Sequence, residues 1–278
     1  MRKSAVNFTS EASTNSTYNL THLDICVYSI NVLFGLPTHS YVIWFIITGT
    51  GNGVTSEFFN LNLSLCEIGI CLNSLLTIIY FYSQFSHLAI LADFLLGLFV
   101  TGRPLFQCLM CVERYLAVVH PVTFLKYKPL RYKMICCTVA WIITLGSCLY
   151  CMFNTNQPDF NIYIYFYLIQ FIVFFSIQLF CLVTVLRALK QSGPGERGRV
   201  RVEENHMKRR AFCLILITSV TMSVIYMPFI ISGFYFILSH LFIVDIFSIG
   251  LFCFILAGFV QPVLYLHRAG KLPCLCSL

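Results

Sequence analysis

Four charged side chains stand where charge is expensive, and their types and spacing bound the chemistry open to this chain. Glu113-Arg114-Tyr115 sets an acid beside a base at the end of a long apolar run, followed by His120-Pro121 and a basic stretch. Packing gives no reason for that pair, whereas an adjacent acid and base can hold or release one another as a switch. Glu67 and Arg103 lie deeper, each in the middle of an apolar run. An arginine or an acid at that depth costs about 3 kcal/mol on insertion scales, so the two are expected to meet as a buried ion pair. Eleven residues, close to three helical turns, separate Arg103 from Arg114, which puts both on one helix face about 16 Å apart. Glu67 belongs to a small polar stripe, Asn60, Ser64, Glu67, Cys71 and Ser74, at helical spacing.

Other chemistries find less support. There is no His-Glu-x-x-His or Gly-x-Ser-x-Gly pattern, and the seven histidines are scattered. The reading is therefore no enzyme, no metal and no cofactor. A transporter or channel using Glu67 and Arg103 as an ion or proton relay stays open as the alternative, although paired Gly/Pro-broken runs in two halves are not evident.

The elements that position these groups follow from composition. With 58% hydrophobic and 10% charged residues in 278, the chain cannot hide its apolar surface in one water-soluble core. Seven apolar runs are long enough to cross a bilayer as helices: 25–48, 58–83, 87–120, 134–152, 162–189, 211–238 and 241–267. Their length and lack of alternation exclude barrel strands. The fold class is thus an all-α seven-helix membrane bundle, with tails at 1–24 and 268–278. Most of the 14 cysteines, such as Cys66, Cys108, Cys136, Cys181 and Cys253, fall inside these runs, where a thiol is a small hydrophobe.

Fifteen of the 18 Lys and Arg flank the loops after the third and fifth runs and the end of the seventh. By the positive-inside bias the N-terminus is expected outside and the C-terminus in the cytoplasm. The same bias, rather than nucleic acid, accounts for the net charge of +7. Three acceptor patterns for N-glycosylation, at Asn7, Asn15 and Asn19, agree with an outside start. No cleavable leader is visible, so the first run is expected to serve as the targeting signal. Gln191–Asn205 reads as a mobile connector broken by Ser192-Gly193-Pro194-Gly195. Pro228 and Pro262 are expected to kink the sixth and seventh runs. His39 and the Gly250, Ala257, Gly258, Gln261, Tyr265 face read as packing features.

With seven runs, glycosylation signals at the start and Glu113-Arg114-Tyr115, the chain resembles the rhodopsin-like (class A) G-protein-coupled receptors over nearly its whole length. Glu113-Arg114-Tyr115 with Pro121 is similar to the family's acid-Arg-Tyr motif and loop proline. Asn62-Leu63-Ser64 leading to Glu67, Trp141, Pro228 and Gln261-Pro262-Val263-Leu264-Tyr265 resemble further family motifs in order. There are departures: Ala89 stands for the outer third-helix cysteine, His39 for the first-helix Asn, and Glu67, Arg103 and Gln261 for the acid, hydroxyl and Asn of the inner sodium site. A guanidinium would take the ion's place.

The resemblance implies a plasma-membrane receptor whose partner is a heterotrimeric G protein. Arg114, held by Glu113 at rest, would be released as the sixth helix pivots at Pro228. Lys208, where relatives carry an acid, would repel Arg114 and favour basal activity, with Tyr265 completing the coupling end. The positions matching the family's ligand pocket are Leu96, Gly97 and Val100, then Tyr226, Phe229 and Ile230, then Leu251 and Ile255. They give an apolar lining, with Asp93 near the outer end, and point to a hydrophobic small molecule or membrane lipid. Cys274 and Cys276 are candidates for palmitoylation. Ser277 is the only hydroxyl in the final stretch, so kinase and arrestin control is expected to be weak.

Overall fold

The computed structural model describes residues 22–48, 57–127, 130–154, 160–191, 199–239 and 244–268. Seven of its helices are long and apolar enough to cross a membrane. They are span 1 (Leu23–Ile47), span 2 (Phe58–Ser83), span 3 (Ser86–Val119), span 4 (Leu130–Phe153), span 5 (Ile164–Ala188), span 6 (Ile215–Ser239) and span 7 (Ser248–Leu266). Helices are the form that satisfies every backbone N–H and C=O inside lipid. Their outer faces carry Leu33, Trp44, Ile142 and Phe180, all more than half exposed, as a bilayer-solvated surface requires. Spans 1 and 7 close a ring of neighbours, and span 3 runs through its middle against spans 2, 4, 5 and 6. The interior is aromatic, with Phe106, Phe171 and Phe254 fully buried.

Helix ends depart from the sequence reading in four places. Helix begins at His22, inside the stretch read as a tail. The fourth helix starts at Leu130 rather than Met134, which brings the buried Lys133 into its first turn. The helix of span 6 starts at Arg199, so the end of the stretch read as a mobile connector is helical and continues into span 6. A short helix, Pro121–Tyr127, follows span 3, with Pro121 at its first turn, where a missing N–H costs nothing. Span 2 ends at Gln84, whose left-handed φ of 57° lets its N–H bond the Tyr80 carbonyl at 2.8 Å and turns the chain into span 3.

Spans 1 and 3 share an irregularity. Each contains one π-helical stretch, Asn31–Gly35 and Leu98–Gly102, and each ends two residues before a proline, Pro37 and Pro104. A proline has no N–H for the i−4 carbonyl and its ring clashes with that carbonyl. Widening the preceding turn relieves the clash, and the Arg103 N–H bonds Leu98 O, five residues back. Both widened turns face span 2. Cys71 Sγ donates to the Asn31 carbonyl at 3.6 Å and Cys66 Sγ to the Leu98 carbonyl at 3.7 Å. Gly35 and Gly102 permit the approach, since a Cβ would stand 2.9 Å from Cys71 Sγ and 2.6 Å from Cys66 Sγ respectively.

Span 7 is interrupted too. Its helices are Val244–Gly258 and Val260–Arg268, with the Phe259 N–H bonding Leu256 O at 3.2 Å across the break. Pro262 withdraws the donor that the Gly258 carbonyl would otherwise receive. Pro228, by contrast, leaves the helix Arg199–Ser239 unbroken.

Candidate functional site

Glu67 projects from the middle of span 2 and Arg103 from the turn that closes the π stretch of span 3. The two meet in the centre of the bundle, 4% and 1% exposed. Arg103 Nε donates to Glu67 Oε1 at 2.5 Å and Nη2 donates to Glu67 Oε2, a two-pronged geometry that only a guanidinium offers a carboxylate. The remaining prong, Nη1, donates to the Phe254 carbonyl of span 7 at 2.9 Å, and the guanidinium carbon stands 3.5 Å over the Phe254 ring. Gly258, one turn further along span 7, leaves room: a Cβ there would lie 3.0 Å from Arg103 Nη2. Gln261, expected as the third member, is half-buried further along span 7 and is engaged within the protein. His39, in span 1, is buried, and its Nδ1 has no hydrogen-bond partner among the described residues.

A neutral polar network holds the other side of the π stretch. Ser147 of span 4 and Gln170 Oε1 of span 5 each lie 2.7 Å from Thr101 Oγ1. A hydroxyl has one proton, so Thr101 donates to Gln170 and accepts from Ser147. Nearby, Trp141 Nε1 of span 4 donates to Asn62 Oδ1 of span 2 at 2.9 Å. The π stretch is therefore tied to spans 2, 4 and 5, and it sets the direction of the adjoining Arg103.

Above the pair the expected lining residues form a packed aromatic core. Val100, Tyr226, Phe229, Leu251 and Ile255 are buried, with Leu96 and Ile230 against them. Phe99, which the sequence did not single out, packs against Phe254 with the rings tilted by 35° and their centroids 3.8 Å apart, and meets Phe229 edge-on at 5.6 Å. Gly97 turns away from the expected pocket. A Cβ on it would stand 2.5 Å from Cys148 Cα, so it is a contact position against span 4. Asp93 is half-buried and engaged within the protein.

At the other end of span 3 the acid of Glu113-Arg114-Tyr115 is held from elsewhere. Lys133 Nζ of span 4 donates to Glu113 Oε1 at 2.5 Å, while Arg114 forms no ion pair among the described residues. The expectation that Glu113 holds Arg114 is thereby corrected: the carboxylate turns to span 4, where an ammonium meets it. The Tyr115 hydroxyl lies 3.1 Å from His120 Nε2, and its ring packs on Phe180. Tyr265 is buried against Phe45 of span 1, edge-on at 6.0 Å. The side chain of Lys208, and Asn7, Asn15, Asn19, Cys274 and Cys276 altogether, lie outside the described residues.

Comparison with known families decides the class. The model of the 7 transmembrane receptor (rhodopsin family) matches residues 39–265, more than four-fifths of the chain. The chain belongs to the rhodopsin-family receptors. Among curated relatives it is similar to the human C-C chemokine receptor type 8, 23% identical over 224 residues, covering 73% of this chain and 60% of the relative. It is also similar to mouse chemokine XC receptor 1, 25% identical over 193 residues, with 63% and 58% covered. Bovine lysophosphatidic acid receptor 5 is 24% identical over 128 residues, with 45% and 35% covered. The matched part spans about three-fifths of the length of the first two relatives.

For this receptor the membership excludes an enzyme, does not favour the transporter alternative, and makes the protein a multi-pass membrane protein. Two features of its site went unread in the sequence. Lys133 sits twenty residues beyond Glu113 across a loop, and nothing in the spacing marks it among five basic residues there. The π stretches had a signal that could have been used, the repeated Gly-x-Pro at 35–37 and 102–104.

Proposed function

We propose that this receptor passes a signal from outside the cell or from the membrane to heterotrimeric G proteins, with Arg114 as the contact and with some activity in the absence of ligand. The observation that carries the reading is the state of Arg114. It stands at the end of span 3 of a rhodopsin-family bundle with no carboxylate engaging it among the described residues. A guanidinium that is not already paired needs less rearrangement to meet a partner protein. The basic loops favour a cytoplasmic position for this end of the bundle. Pro228 and Pro262 are the pivots about which spans 6 and 7 would move.

The relatives' names speak of chemokines and of lysophosphatidic acid. A phosphate-bearing ligand needs cations at the outer side. Apart from Arg2 and Lys3, this sequence has only Arg103 on the outer side of the Glu113 level, and Glu67 and Phe254 occupy it. An apolar molecule entering among Tyr226, Phe229 and Leu251 fits these residues better.

A panel of purified heterotrimeric G proteins tests the reading. Receptor in lipid nanodiscs is expected to accelerate nucleotide exchange on at least one of them, and Arg114→Ala is expected to remove that acceleration. Equal exchange with wild type and Arg114→Ala would reject Arg114 as the contact.

A further inference from the structure

Lys133 is polar, buried and used by none of the motifs above. We propose that it is a positioning residue for coupling: by binding Glu113 it keeps that carboxylate off Arg114 and leaves the guanidinium available. This rests on the reading of Arg114 just given.

Two neighbouring helices hold the Lys133 ammonium. Lys133 lies in the first turn of the helix Leu130–Asn154, and Glu113 lies near the end of the helix Arg103–Val119. Their side chains are 7% and 11% exposed and stand 2.5 Å apart, so water and counterions screen the pair little. Phe59 of span 2 lies beneath, with its ring centroid 5.7 Å from Lys133 Nζ, within reach of cation–π attraction. The ammonium is thus fixed by span 2 and span 3 together.

Glu113 and Arg114 are consecutive, so their side chains leave the helix about 100° apart. One carboxylate faces two cations, one on its own helix and one on span 4, and the structure shows it taken by the second. Without Lys133 the acid would be left in a poorly solvated place, where an uncompensated charge is costly. The guanidinium beside it is the cation its own helix offers. Removing Lys133 therefore restrains Arg114, and removing Glu113 as well releases it.

The test is nucleotide exchange driven by equal amounts of folded receptor in nanodiscs, with surface expression and melting temperature measured alongside. Lys133→Gln is expected to lower exchange about tenfold, the factor that 1.4 kcal/mol of added restraint gives. Glu113→Gln added to Lys133→Gln is expected to restore it, and Lys133→Arg to resemble wild type. A merely structural pair would give the opposite order, with the double variant no better than either single one and exchange falling in step with melting temperature. If wild type drives exchange, Arg114→Ala does not, and Lys133→Gln matches wild type or is not rescued, this inference alone is overturned. If neither wild type nor Arg114→Ala exceeds receptor-free discs on any G protein, the coupling reading fails and the role given to Lys133 falls with it.

Discussion

Arg103 engages Phe254 twice, through a hydrogen bond from Nη1 to its carbonyl at 2.9 Å and through its ring, 3.5 Å below the guanidinium carbon. Together with the two bonds to Glu67, this leaves the arginine facing partners on every side and joins spans 2, 3 and 7 at one point. In hydrocarbon a charge is held by full compensation, and each change that subtracts one partner should be felt strongly.

Removing one charge should cost more than removing both. Glu67→Gln is expected to destabilise the receptor by about 3–5 kcal/mol, whereas Glu67→Met with Arg103→Met should be close to neutral. Melting of the detergent-solubilised protein checks this. A double variant less stable than Glu67→Gln would refute the compensation argument.

Sodium should be without effect. The guanidinium occupies the place a cation would take beside Glu67, and a ligand that binds only the folded state stabilises by mass action. Melting temperatures in sodium chloride and in choline chloride at equal ionic strength are expected to coincide. A rise in sodium alone would show that the acid still binds the ion.

Gly258 should not tolerate a side chain. Gly258→Ala places a methyl group 3.0 Å from Arg103 Nη2, and overpacking of this kind costs about 1–3 kcal/mol. Gly146, whose Cβ would meet nothing within 4 Å, serves as the control. Alanine there is expected to leave melting unchanged or to raise it slightly.

Thr101→Val keeps the shape of the π stretch and deletes its two bonds, to Ser147 and Gln170. The expected loss is about 1–2 kcal/mol, since interhelical hydrogen bonds in membranes each contribute a fraction of that. Thr101→Ser should retain most of the stability. Equal melting of the Val and Ser variants would mean that the hydroxyl holds nothing.

The sequence by itself determined the number of spans, their helical form and the need for Glu67 and Arg103 to find one another. Each of these is a solvent argument, because lipid forbids unpaired backbone groups and uncompensated charge wherever the chain crosses it. Only the tertiary structure decided which partner each charge takes. Glu113 goes to Lys133 rather than to its neighbour Arg114, and Arg103 takes the Phe254 carbonyl and ring as a contact on span 7. The reason is rotational. A π turn adds a residue to one helical turn and swings everything beyond it around the axis, so the face a side chain presents depends on an irregularity that apolar periodicity does not record. Gly97 shows the same effect, counted toward a pocket by its position in the chain and carried by span 3 against Cys148.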